Sequence, residues 1–131
     1  MKLPADPFPD KILVVDDTKE LAELVSLYLR QKGYEVHTAF SGEDAINLLE
    51  EHAQYLDNMF DLVITDQEMP GMLGSELIGN IREKKDYKAL KILMITFLPQ
   101  DDLKNVGFDA FLSKPLDFLL LVDMVRDLLS H

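Results

Sequence analysis

Five short stretches of the chain are rich in β-branched and aliphatic residues, and the segments between them repeat apolar residues every three or four positions. "KILVVD" (11–16) is an almost unbroken apolar run, as expected of a strand covered on both faces. "YEVHTAF" (34–40), "DLVIT" (61–65), "KILMIT" (91–96) and "AFLS" (110–113) read as four more strands. After the first, Leu21, Leu24, Val25 and Tyr28 recur at helical spacing, with Thr18 as a cap and Gly33 as a stop. Ser41 and Asp44 form a capping-box-like start to a second helix through "AINLLEEHAQ". "SELIGNIREK" (75–84) reads as a third. Asp117 caps a last helix with Phe118, Leu121, Val122, Val125 and Leu129 on one face. Between Phe97 and Gly107, "LPQDDLKNV" offers only Leu98, Leu103 and Val106 as apolar anchors. A helix there is predicted to be one or two turns, or irregular, because nucleation costs what few hydrogen bonds return. No repeat or low-complexity tract interrupts the series. Alternating strands and helices of this kind specify an α/β, doubly wound five-stranded parallel sheet with helices on both faces.

Open sheets of this type bind ligands beyond the carboxyl ends of their strands. At those ends stand Asp16 and Asp17, then Asp66, Thr96 and Lys114. Three carboxylates in close range repel, each raising the others' pKa. A hard divalent cation relieves the conflict, and Mg²⁺ favours carboxylates plus water. With one Mg²⁺ and Lys114 the formal charges of the three acids cancel, and the site is ready to receive an anion. One acid can then act as a nucleophile and take a phosphoryl group as an acyl phosphate. Mg²⁺, Lys114 and the Thr96 hydroxyl would stabilise charge on the transferring oxygens. Pro70, Gly71 and Gly74 let the chain turn tightly after Asp66 and leave amides free to face that anion.

Composition narrows the options. At 131 residues the chain is one ordinary domain able to bury a core without staples. It has no Cys, so disulfides and thiolate metal sites are excluded. His37, His52 and His131 are expected to be isolated from one another, which argues against a His-rich metal site. A formal charge of -11 repels phosphate backbones, so direct nucleic-acid binding is not expected. The leader "MKLPADPFPD" carries three prolines and no apolar segment, so neither a signal peptide nor a membrane span is expected. The expected location is the cytoplasm.

"ILVVDD", "LVITDQEMPGMLG", "ILMIT" and "AFLSKP", in that order and spacing, resemble the receiver domain of two-component response regulators. The resemblance runs from about Lys11 to Leu129, leaving residues 1–10 as an extension or linker ahead of a domain at 11–131. It implies a flavodoxin-like sheet of strand order 2-1-3-4-5, here with a shortened fourth helix. By resemblance Asp66 is the phosphoacceptor, while Asp16, Asp17, Asp66 and the Glu68 backbone carbonyl hold Mg²⁺. Thr96 is the switch hydroxyl, Lys114 contacts the phosphate, and Phe111 is the aromatic whose rotamer follows Thr96. The Lys114–Pro115 bond is expected to be cis, a geometry that only X-Pro bonds support cheaply. The implied phosphodonor is a histidine kinase or histidine phosphotransfer protein, and the downstream effector is left open. The chemistry is turnover of the domain's own modification, so the protein is not read as an enzyme.

Two other classes share parts of this pattern. A magnesium-dependent aspartyl-phosphate hydrolase also places acids at strand ends, but its two acids stand two positions apart, whereas those of "VVDDTKE" are adjacent. A phosphorylation-independent adaptor of receiver shape would lack one of the five site residues, and all five are present. Against the family pattern, Phe97 stands where a small residue is usual, Phe111 replaces the commoner Tyr, and "AQYLDNM" is longer than usual. Lys114 follows Thr96 by 18 positions, about four fewer than usual, or roughly one helical turn. Many receivers dimerise through a face that includes the fourth helix, so a monomer read by a separate partner is expected. The chain is either a stand-alone regulator or a receiver from a larger protein such as a hybrid kinase.

Overall fold

A computed structural model of the protein describes residues 9–55 and 58–130. Most of the proposed leader, part of the long "AQYLDNM" segment and His131 lie outside the described residues. Strands β1 (Lys11–Val15), β2 (Glu35–Ala39), β3 (Leu62–Asp66), β4 (Lys91–Thr96) and β5 (Ala110–Ser113) form one parallel sheet in the order β2-β1-β3-β4-β5. Helices α1 (Lys19–Gln31), α2 (Gly42–His52), α3 (Gly74–Arg82) and α4 (Phe118–Leu128) connect them. Short 3₁₀ turns at Lys85–Tyr87 and Gln100–Leu103 complete the connections on either side of β4.

The continuous apolar runs have the cause the sequence implied. Ile12 and Val14 of β1 face one way, into a core with Ala22, Val25 and Leu29 of α1 and Leu121 and Val125 of α4. Leu13 and Val15 face the other way, into a core with Ala45 and Leu49 of α2 and Leu77, Ile78 and Ile81 of α3. Because successive side chains of a strand alternate between faces, a strand sandwiched between two helical layers is apolar along most of its length.

Most helix boundaries follow local chemistry. The Ser41 hydroxyl accepts from the Asp44 N–H at 3.1 Å, and the Asp117 carboxylate accepts from the Leu120 N–H at 3.1 Å. Gly33, at φ +96°, ends α1 in the left-handed conformation that glycine adopts without strain. Thr18 differs from expectation: it occupies the N-cap position of α1, but its side chain makes no cap hydrogen bond. The Asp16 carboxylate reaches over instead and accepts from the Thr18 N–H at 2.9 Å.

The fourth crossover is the fold's main economy. Where α1, α2 and α3 cover the earlier strands, only the four-residue turn Gln100–Leu103 lies between β4 and β5. Leu103 is its one buried residue. Asn105 follows at φ +67°, in the left-handed region that Asn tolerates better than most residues.

Candidate functional site

The strand order reverses direction at β1, whose next neighbours in space are β2 on one side and β3 on the other. This is the switch point at which such sheets open a crevice. Register pairs Val15 with Thr65 and Asp66 with Ile95. Asp16, one residue past β1, therefore lies beside Asp66, the last residue of β3.

Side-chain geometry bears this out. Carboxylate oxygens of Asp16, Asp17 and Asp66 lie within 4.8 Å of one another. Lys114 Nζ sits between two of them, 3.3 Å from Asp66 Oδ2 and 3.4 Å from Asp16 Oδ2. Asp16, Asp66 and Lys114 are largely shielded from water, while Asp17 is exposed. Burial pushes the Asp66 carboxyl above its ordinary pKa; Lys114 opposes that shift and the Asp16 charge adds to it. Two shielded carboxylates share one ammonium, and a third carboxylate flanks them. The set is short of positive charge and offers only hard oxygen donors, which fits a divalent cation such as Mg²⁺.

The turn after β3 is built around Asp66. Its Oδ1 accepts from the Gln67 N–H at 2.8 Å, fixing the carboxylate's orientation. Gly74 donates its N–H to the Gln67 carbonyl at 2.9 Å. A Cβ on Gly74 would lie 2.1 Å from the Asp66 carbonyl oxygen, so only glycine permits this closure. The buried Gln67 amide clasps Ser75, accepting from its N–H at 2.7 Å and donating to its hydroxyl at 3.1 Å. Sequence reasoning passed over the Gln67–Ser75 pair, since a polar residue in a turn carries no hydropathy signal of burial.

Thr96 and Glu68, 28 positions apart, are joined through their side chains. The Thr96 side chain is fully buried, and its hydroxyl donates to Glu68 Oε1 at 2.6 Å while accepting from the Leu98 N–H at 3.2 Å. Glu68 was expected to matter through its backbone carbonyl; its side chain is engaged as well. Phe111 is half-buried against the α2–α3 core, its ring 5.8 Å from that of Phe108. Phe97 points outward, 67% exposed, with Lys114 Nζ 5.6 Å from its ring centre. The Lys114–Pro115 bond is cis, as expected.

At the opposite end of the sheet, the two histidines that are distant in sequence meet. The His37 and His52 rings pack edge to face at 4.9 Å, correcting the expectation that they stand apart. Lys11 Nζ, which is buried, donates to His52 Nδ1 and lies over the Phe60 ring. An ammonium in that position opposes a metal ion. Among the described residues, the group of acids and histidines close enough to hold a metal is Asp16, Asp17 and Asp66.

The family model described as "Response regulator receiver domain" matches residues 12–126. The chain belongs to the response regulator receiver domain family. This receiver domain is 35% identical over 125 residues to the transcriptional regulatory protein ResD of Bacillus subtilis, with 92% of its own length covered. It spans from 19% to 53% of the length of the curated relatives it matches. Among solved structures it resembles the chemotaxis response regulator CheY4 of Vibrio cholerae, at a TM-score of 0.82 and 32% identity, covering 92% of this chain and 99% of that one. The response regulator TrrA of Thermotoga maritima, solved in complex with Mg²⁺ and BeF, matches at a TM-score of 0.76 and 36% identity, covering 92% and 99% of the two chains. The receiver domain is a signalling domain, and no helix among its described residues is long and apolar enough to cross a membrane.

Proposed function

We propose that Asp66 of this receiver domain accepts a phosphoryl group from a phosphohistidine on a histidine kinase or a histidine phosphotransfer protein. The observation that carries the reading is the convergence of three carboxylates within 4.8 Å beside a shielded lysine at the sheet's carboxyl edge. Asp66 is the central acid, oriented by the Gln67 N–H and contacted by Lys114. One of its carboxylate oxygens forms the new bond to phosphorus. The phosphorus–nitrogen bond breaks, and its electron pair stays with the imidazole nitrogen.

Asp16, Asp17, Asp66 and the Glu68 carbonyl are the residues that would hold Mg²⁺, which neutralises charge on the transferring oxygens when bound. Lys114 supplies a further positive charge to the phosphoryl group. The Thr96 hydroxyl donates to a phosphoryl oxygen, and Phe111 follows it inward, altering the face formed by the Gln100–Leu103 turn, β5 and α4. Water later attacks the phosphorus, the bond to the Asp66 oxygen breaks, and inorganic phosphate leaves with the carboxylate restored. The net chemistry acts on the domain's own modification, so it is a switch rather than an enzyme with an external substrate.

The domain at residues 11–131 works in the cytoplasm as a monomer, with residues 1–10 as a linker or extension. Its partner is a phosphodonor protein, and a separate effector reads the output face. The charge of -11 argues against its own contact with nucleic acid.

Acetyl phosphate with Mg²⁺ should label the wild type with one phosphoryl group, and Asp66→Asn should lose at least about 95% of that label, as expected when a covalent nucleophile is removed. Intact-mass spectrometry reads this directly. Equal labelling of the Asn variant would overturn the assignment.

A further inference from the structure

The Thr96 hydroxyl carries a single proton and can donate one hydrogen bond. In the structure that proton goes to Glu68 Oε1 at 2.6 Å, the short distance typical of a hydroxyl donating to a carboxylate. The Leu98 N–H occupies one of the hydroxyl's acceptor sites at 3.2 Å, so the proton points away from that amide. Glu68 is itself exposed, whereas Thr96 is fully buried.

We propose that the Glu68 carboxylate is a positioning residue that holds Thr96 in its resting orientation and competes with the phosphoryl group for the same proton. This rests on the phosphoacceptor reading of Asp66. A phosphoryl oxygen and Glu68 Oε1 cannot both receive that proton, so switching exchanges one charged acceptor for the other. Glu68 thereby sets how far the domain shifts for a given load of phosphoryl group. Its charge lies two residues from Asp66, so plain repulsion of the incoming anion is a competing cause. That cause does not depend on the Thr96 hydroxyl, whereas the latch does.

The test is Mg²⁺-dependent binding of beryllofluoride, whose fluorines stand for phosphoryl oxygens, followed by ¹⁹F NMR with Tm confirming that each variant is folded. Glu68→Ala should tighten binding about fivefold, given a charge-assisted hydrogen bond with one partner facing water. Glu68→Gln keeps a weaker, neutral acceptor and should tighten it about twofold. In a Thr96→Val background, which keeps the shape but lacks the hydroxyl, Glu68→Ala should produce no gain. In a Thr96→Ser background, which retains the hydroxyl, the gain should return. An equal gain in the Val background would assign the effect to charge repulsion and overturn the latch, as would no gain in wild type or in the Ser background. A wild type that binds no beryllofluoride at any Mg²⁺ concentration would instead overturn the proposed function itself.

Discussion

His52 shows how a single residue's protonation is tied to its neighbours. Lys11 Nζ donates to His52 Nδ1, and an ammonium can do so only while that nitrogen is unprotonated. Burial lowers the His52 pKa, and the charges of Lys11 and His37 lower it further, against weaker opposing effects of Glu35 and Glu51. The unfolded chain therefore takes up this proton more readily than the folded one. Stability from this group is fully present above the ordinary histidine pKa near 6.5 and is lost as pH falls through the lower folded value. Glu35, held below its usual pKa chiefly by its hydrogen bond to His37, loses its contribution in the same direction at lower pH. Tm should therefore fall as pH is lowered from 7 to 5.5. His52→Gln, which can still accept from Lys11, should flatten that slope. Parallel Tm–pH curves for the two proteins would exclude His52 as the cause.

At the scale of elements, the short fourth crossover is compensated by Arg82 at the end of α3. Its guanidinium donates to the Gly107 carbonyl at 2.9 Å, the Leu90 carbonyl at 2.7 Å and the Tyr87 carbonyl at 3.3 Å. It also pairs with Asp109 Oδ2 at 2.8 Å, an oxygen that accepts from the Ile92 N–H at the start of β4. One planar fork thus ties α3 to the chain entering both β4 and β5. Arg82→Ala would strand these acceptors and should cost about 2 kcal/mol, read by denaturant unfolding. Amide exchange should quicken in residues 104–109. Arg82→Lys should recover less than half the loss, because one ammonium cannot serve such a fork. If the Ala variant matched wild type in both measurements, the crossover would owe its order to Leu103 and the sheet alone.

Across the whole molecule, the same short crossover bears on assembly. The face made of the fourth crossover, β5 and α4 is left with a four-residue turn, Gln100–Leu103, where a longer helix would add contact area. Stable association needs roughly 800 Å² from each partner, and the lost turn removes part of what could supply it. Light scattering should give a monomer with and without Mg²⁺ and beryllofluoride. A phosphoryl-mimic-dependent dimer joined through residues 97–129 would show that the turn suffices for self-association.

Hydropathy alone determined a good deal of this protein. The bounds of β4 and β5 match the sequence reading to the residue, and β3 differs by one position at each end. Unbroken apolar runs forced two covering layers, and that in turn placed Asp16, Asp66, Thr96 and Lys114 along one edge. Helix ends were less legible: the second and third helices stop at His52 and Arg82, two residues short of the predicted ends. The 3₁₀ turn at Lys85–Tyr87 carried no periodic signal at all. Only the tertiary structure decided which polar groups pair. Thr96 with Glu68, Arg82 with Asp109, and Lys11 with His52 are separated by 28, 27 and 41 positions. Burial is written into a sequence because each apolar residue seeks it independently of its neighbours. A hydrogen bond needs two particular atoms at one distance and angle, and that coincidence exists only once the register of the sheet has been set.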